Sequence, residues 1–148
     1  MKRMILLPIL ASIPLAAQGF KAADISRLQS DTKRFAKVSH RLDVLVDNLI
    51  VCFSNPDYSQ SEDCQENAAN LRDLYSEWHA ALVAVLTDES GMYEYADKNH
   101  VSAEKKQLFD NIAADNLKIV ETMNAKLETL RTKAEAPIWI PDPINTLS

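Results

Sequence analysis

The two cysteines of the chain, Cys52 and Cys64, are the residues with the most definite chemistry. They flank a short polar stretch containing Pro56, and apolar residues recur at helical spacing on both sides of it. Two antiparallel helices joined there would bring the cysteines within the roughly 4.4–6.8 Å Cα separation of a disulfide. A redox centre is the alternative, but the spacing is not C-x-x-C and no residue pattern nearby would stabilise a thiolate. We therefore predict a structural disulfide.

The histidines do not have the spacing of a metal site. His40, His79 and His100 lie 39 and 21 residues apart, whereas zinc ligands usually follow one another closely. The acidic residues near Asp57 and Glu62 lack the alternating carboxylates and the glycine of a calcium loop. The sequence predicts no metal ligands.

No motif for cofactor binding or catalysis is present. The chain has no C-x-x-C-H, which excludes covalent haem attachment, and noncovalent ligation would need Met123 with His40 or His79. It also lacks G-x-S-x-G, H-E-x-x-H and any glycine-rich phosphate loop, and it contains two glycines in all. We expect neither a cofactor nor an enzyme.

Three surfaces are candidates for contact with another protein. One is acidic and lies beside the cysteines, one carries two tyrosines, and one is an apolar segment near the C-terminus. Their residues are Asp57, Glu62 and Asp63; Tyr93 and Tyr95; and Trp139 and Ile140.

These side chains must be positioned by long helices, since no proline occurs between Asp57 and Ala136. The first apolar stripe predicts a helix of roughly 30 residues, about 45 Å long. Ser59 and Glu62 match a capping box that opens a second helix. Gly91 is then expected to follow the end of that helix. The segment 92–101 becomes a loop, and a third helix of roughly 34 residues, the longest, ends at Pro137.

The fold class follows from these elements. Short connections favour antiparallel neighbours, so we predict an all-α, antiparallel three-helix bundle with one disulfide. The alternative is an extended hairpin whose third helix docks on a partner chain. After residues 18–136, the segment 137–148 combines three prolines with large apolar side chains. It predicts an extended tail that either packs on the bundle or docks on another protein.

The first 17 residues have the pattern of a cleaved bacterial signal peptide. Lys2 and Arg3 precede an apolar run, and the small residues Ala16 and Ala17 precede a polar one, which predicts cleavage after Ala17. The run is too short for a stable membrane anchor. Its removal deletes two cations and no acid, so the formal charge changes from −5 to −7. This balance argues against binding to nucleic acid or to anionic lipid.

The sequence thus predicts a non-enzymatic protein of the periplasm or the secreted fraction that acts through protein–protein contact. Such proteins serve as accessory subunits of envelope, secretion or conjugation assemblies, or as inhibitors of a toxin or hydrolase. The alternative function is a periplasmic helical bundle that binds haem, a metal or an apolar small molecule. The oligomeric state and the identity of the partner do not follow from the sequence.

Overall fold

The computed structural model describes residues 24–57, 59, 61–134 and 138–146, and within them the chain forms three helices. Helix α1 spans Asp24–Ser54, α2 spans Glu62–Lys98 and α3 spans Ala103–Lys133. Every pair of helices is in contact, and the short connections make successive helices antiparallel. The predicted three-helix bundle is confirmed, while the predicted signal peptide and Pro137 lie outside the described residues. None of these three helices is apolar enough over a sufficient length to cross a membrane.

The core forms where the predicted apolar stripes of the three helices meet. Phe35 of α1, Trp78 of α2 and Val120 of α3 are all fully buried. They belong to one large cluster that fills the half of the bundle nearer the disulfide. A smaller cluster of Leu28, Met92, Ala96 and Phe109 fills the opposite end. Near the start of α3, Leu108 is 53% exposed, whereas the adjacent Phe109 is buried in the smaller cluster.

The disulfide is confirmed, and the helix start beside it differs from the prediction. Cys52 and Cys64 are bonded with their Cα atoms 5.9 Å apart. The N-cap of α2 is Ser61, whose hydroxyl accepts a hydrogen bond from the Cys64 N–H at 3.2 Å. The predicted cap, Ser59, instead donates to the Pro56 carbonyl at 3.1 Å and belongs to the turn. The capping box is therefore wrong by two residues.

Helix α2 continues through Gly91, contrary to the prediction of a loop there. Gly91 is buried, and Met92 and Ala96 beyond it extend the inward face of the helix. A glycine inside a helix costs about 1 kcal/mol relative to alanine, which the packing of these side chains offsets. At 37 residues α2 is the longest helix, and α3 has 31. The prediction that the third helix is the longest was wrong, because α2 continues past Gly91.

Helix α2 ends at Lys98, and Asn99 and His100 terminate it in place of a glycine. Asn99 caps the helix by donating from both its backbone N–H and its side-chain amide to the Tyr95 carbonyl, at 3.0 and 2.9 Å. His100 then takes a left-handed conformation with φ 48° and turns the chain. Ser102 caps α3, and its hydroxyl accepts a hydrogen bond from the Lys105 N–H at 3.2 Å.

Residues 138–146, which we call the C-terminal tail, pack on the bundle. Ile138, Ile140 and Ile144 contact the large core cluster. The tail meets α2 at Tyr75 and α3 at Asn124. Of the two expectations for this segment, packing within the chain is the one that the structure shows.

We expect the disulfide to supply a large part of the stability. Closing a loop of this size contributes on the order of 3 kcal/mol. Replacing Cys52 and Cys64 by serine should therefore lower the melting temperature by roughly 10 °C, as measured by circular dichroism. The wild-type protein after reduction and alkylation is the matched control and should melt with the variant. An unchanged melting temperature would contradict the stabilising role.

Candidate functional site

The end of the bundle that carries the disulfide has a one-sided charge. From residue 42 to residue 71 the chain contains no lysine, arginine or histidine, and it contains six acids. These residues form the second half of α1, the turn and the first turns of α2. The cations that border this stretch are engaged elsewhere: Arg41 pairs with Glu77 at 2.9 Å, and Arg72 lies 5.6 Å from the ring centre of Trp139.

Two of the six acids are neutralised from α3. Lys126 Nζ lies 2.5 Å from Asp43 and 3.0 Å from Asp47, so one ammonium joins two carboxylates of α1. The hydrogen bond that Lys126 donates to Asp43 is the largest cause of its raised pKa. This bridge joins α3 to α1. Asp43 and Asp47 are therefore paired, which leaves four of the six acids to consider.

The four remaining acids form a surface that we call the acidic tip. Its members are all exposed, and no ion pair among the described residues joins them to a cation. Glu62 and Asp63 lie in the first turn of α2, where the helix dipole favours negative charge. The acidic tip consists of Asp57, Glu62, Asp63 and Glu66.

Polar groups of the turn bond to one another beside the acidic tip. Asn55 Oδ1 accepts from the Asp57 N–H at 3.0 Å, and the Gln65 side chain donates to the Ser59 carbonyl at 2.9 Å. The disulfide joins the end of α1 to the start of α2, with Cys64 fully buried. These bonds restrain Asp57 and the first turn of α2, and restrained groups lose little conformational entropy on binding.

An apolar side chain stands beside the acids. Val51, in the last turn of α1, is 70% exposed, the most exposed large hydrophobic residue of the described chain. Val44, two turns earlier on the same outward face, is 46% exposed. Charged and apolar groups therefore lie together at this end of the molecule.

The other predicted contact residues lie on α2 and in the C-terminal tail. Tyr93 and Tyr95 lie in the last turns of α2 and are partly buried, so their placement on a loop was wrong. The Tyr93 hydroxyl donates to Asp110 of α3 at 2.8 Å. Trp139 rests its ring edge on Tyr75, 5.7 Å between centroids, and Ile140 packs on the core.

The residues weighed as haem ligands are only partly brought together. His40 and Met123 line one groove of about 420 Å³ between α1 and α3, whereas His79 lies on α2 beside Tyr75. The groove also holds Asp43, which is already bound to Lys126. Within the described residues no three histidine, cysteine or acidic side chains are grouped as metal ligands.

Two adjacent acids in the middle of α2 were missed by the sequence reasoning. Asp88 and Glu89 are 3% and 6% exposed and lie between the two core clusters. Asp88 accepts from Arg27 of α1 at 3.1 Å, and Glu89 accepts from Asn116 of α3 at 2.8 Å. Asp88 Oδ2 has no hydrogen-bond partner within the described side chains. The sequence signal for this buried acid pair was Asn116, which interrupts the apolar stripe of α3.

Both members of the buried acid pair resist ionisation. Burial is the main cause that raises the pKa of Asp88 to about 7; the nearby Asp31 carboxylate adds to the rise and Arg27 opposes it. Burial likewise raises the pKa of Glu89 to about 7 despite the hydrogen bond from Asn116. Near neutral pH these side chains are therefore partly protonated.

Comparison with known proteins adds no relative to this picture: no family model, curated protein or solved structure matches the chain.

The buried acid pair predicts that the protein is more stable in mild acid than in mild base. The ordinary pKa values of 3.8 and 4.5 hold in the unfolded chain, and the folded values are about 7. A raised folded pKa means that stability is present at low pH and is lost as the pH rises through about 7. For Glu89 alone the effect is on the order of 3 kcal/mol.

The melting temperature should therefore fall between about pH 5.5 and pH 8, by roughly 10 °C. The double variant Asp88→Asn, Glu89→Gln should lose most of this dependence, because neither amide ionises. Asp115→Asn, at an exposed position of α3, should retain it. Equal melting temperatures of the wild type at both pH values would refute the role of the buried pair.

Proposed function

We propose that this is an exported, non-enzymatic protein that acts by binding another protein, and that the acidic tip together with Val51 is its contact surface. The observation that carries the proposal is the set of four exposed acids beside the disulfide, none of which is ion-paired to a cation among the described residues. The partner surface that complements it carries lysine or arginine around an apolar patch. Envelope or secretion assemblies and basic toxins or hydrolases contain surfaces of this kind.

Two features support the assignment to the periplasm or the secreted fraction. The first 17 residues have the pattern of a cleaved signal peptide. Disulfides persist in oxidising compartments and are rare in the bacterial cytoplasm, and this chain has one that closes its helical hairpin. The chain is therefore a candidate for folding after export.

The composition of the surface supports protein contact over other functions. The helix dipole gives Glu62 and Asp63 a modest stabilising role of about 0.3–1 kcal/mol each. Asp57 and Glu66 lie outside that first turn, so stabilisation of the fold does not account for all four acids. Charges arranged this way accelerate encounter with an oppositely charged surface and select among partners. Val51 supplies the apolar group that a lasting contact requires in addition.

The contact is tested by photocrosslinking of the full chain in the cells that produce it. A photoreactive amino acid at Val51 or Asp63 should give a discrete protein adduct. The matched control carries it at Leu108, which is also exposed but lies at the opposite end of the bundle. Adducts of equal yield and mass at all three positions would overturn the proposal.

Neutralising the acids tests whether their charge is what binds the crosslinked partner. Neutralising Glu62, Asp63 and Glu66 to their amides should reduce the adduct at Val51 about tenfold, and added salt should do the same. The control neutralises Glu104, Asp115 and Glu121 on α3, which changes the net charge equally at exposed positions. Circular dichroism of both variants should show intact helices. A reduction of the same size in the control would show that net charge alone governs binding.

Export is tested separately by mass spectrometry of the protein recovered from the periplasm or the medium. The expected mature chain begins at Gln18 and lacks free thiols. A chain that retains residues 1–17 and remains in the cytoplasm would contradict export, whatever the outcome of crosslinking.

A further inference from the structure

The bundle makes three hydrogen bonds to the backbone of the C-terminal tail. Asn124 of α3 binds Ile144 twice: its amide Nδ2 donates to the Ile144 carbonyl at 2.8 Å, and its Oδ1 accepts from the Ile144 N–H at 3.0 Å. Arg131 Nη2 donates to the Pro141 carbonyl at 2.7 Å. Bonds to main-chain groups do not depend on the side chains of the bound segment, and this is how proteins commonly read extended peptides.

Side chains of the tail supply a simple apolar pattern. Ile138 and Ile140 alternate with Trp139, so the isoleucines contact the core while the indole lies at the rim. There Trp139 contacts Tyr75 and the Arg72 guanidinium and keeps 39% of its surface exposed. The pattern corresponds to pockets for alternate side chains along an extended segment.

The groove favours an uncharged occupant. Two arginines contact the tail. Arg72 lies over the Trp139 ring and Arg131 donates to the Pro141 carbonyl, and neither is paired with a carboxylate of the described tail. The one charged residue of the tail, Asp142, is exposed, and the proximity of its charge adds to the rise in the pKa of Tyr75 that burial causes.

From this geometry we infer that the groove between α2 and α3 is a peptide-binding site, which the chain's own tail occupies. Its ligand class is an extended, uncharged, proline-containing segment of a partner protein with isoleucine-like side chains at alternate positions. The tail is a tethered competitor for that segment. This site is distinct from the acidic tip, and the inference does not depend on the contact proposed there.

Because the tail is covalently attached to the bundle, a test of peptide binding must first free it. A segment joined by a few residues has an effective concentration on the order of millimolar, so a free peptide at micromolar concentration will not displace it. A specific protease site replacing residues 135–137 allows the tail to be cut from the folded full chain without removing it. The probe is a fluorescent peptide with the sequence of residues 137–148, and binding is followed by fluorescence polarisation.

The cut protein should bind the peptide, and the uncut protein should not bind it at the same concentration. A peptide with serine in place of the isoleucines at 138, 140 and 144 should fail to bind, whereas one with alanine in place of Trp139 should lose affinity less than tenfold. Asn124→Ala in the cut protein should weaken binding at least tenfold, because both bonds to the peptide backbone are lost. Lys126→Ala, two residues away on the face toward α1, is the matched control and should bind normally.

Three results would overturn the inference. Loss of helical circular dichroism on cutting would show that the tail is a permanent part of the core. Binding that is unaffected by Asn124→Ala would show nonspecific adsorption of an apolar peptide. A dimer of the uncut protein that disappears in the Asn124→Ala variant would assign the groove to the tail of a second copy and not to a partner protein.

Discussion

The hydrogen bond between Trp78 and Ser39 is the interaction on which the arrangement of this bundle depends. The indole N–H donates to the Ser39 hydroxyl at 2.9 Å, and both side chains are buried. A buried donor or acceptor without a partner costs about 1–3 kcal/mol, so a shift of α2 along α1 would leave two groups unsatisfied. The same indole contacts Phe35 of α1 and Tyr75 of α2, and Tyr75 in turn contacts Trp139. The fully buried Trp78 ring thereby fixes the register of α1 against α2 and, through Tyr75, the position of Trp139 in the tail.

The two ends of the bundle differ in what holds them together. Toward the disulfide the core is apolar and covalently closed, which suits a surface that must present charges in fixed positions. Toward the other end Asp88 and Glu89 separate the large core cluster from the small one. The protonation of buried acids changes stability strongly, so the packing at this end responds to pH. A single bundle thus combines a rigid end with one whose stability is adjustable.

Regular apolar spacing made much of this fold predictable. The stripes of α1 and α3 and the turn at Pro56 predicted the bundle. The spacing of the two cysteines, together with the expectation of an oxidising compartment, predicted the disulfide. The end of α2 could not be predicted in the same way, because Asp88 and Glu89 occupy inward positions where apolar residues were expected and Gly91 follows them. The bonds from Arg27 and Asn116 that satisfy these acids come from other helices. The sequence near Asp88 and Glu89 does not show which residues of other helices will bond to them. The choice between Ser59 and Ser61 as helix cap was equally open, since both are serines and the loop's hydrogen bonds decide it.

Of the candidate sites, the acids beside the cysteines were visible in the sequence, but it was not visible that no described cation pairs with them. That property depends on Lys126, more than 50 residues further along the chain, which pairs with Asp43 and Asp47 and leaves the tip acids alone. Lys126 and Asn124 are two residues apart on α3 and so point to opposite sides of that helix. One binds α1 and the other binds the tail, so α3 is held from both sides. Displacing the tail would release one side of α3 and leave the ion pairs to α1 in place. If the groove binds a partner segment as inferred above, exchange of its occupant would leave the ion pairs beside the acidic tip in place, and the two proposed surfaces would act independently.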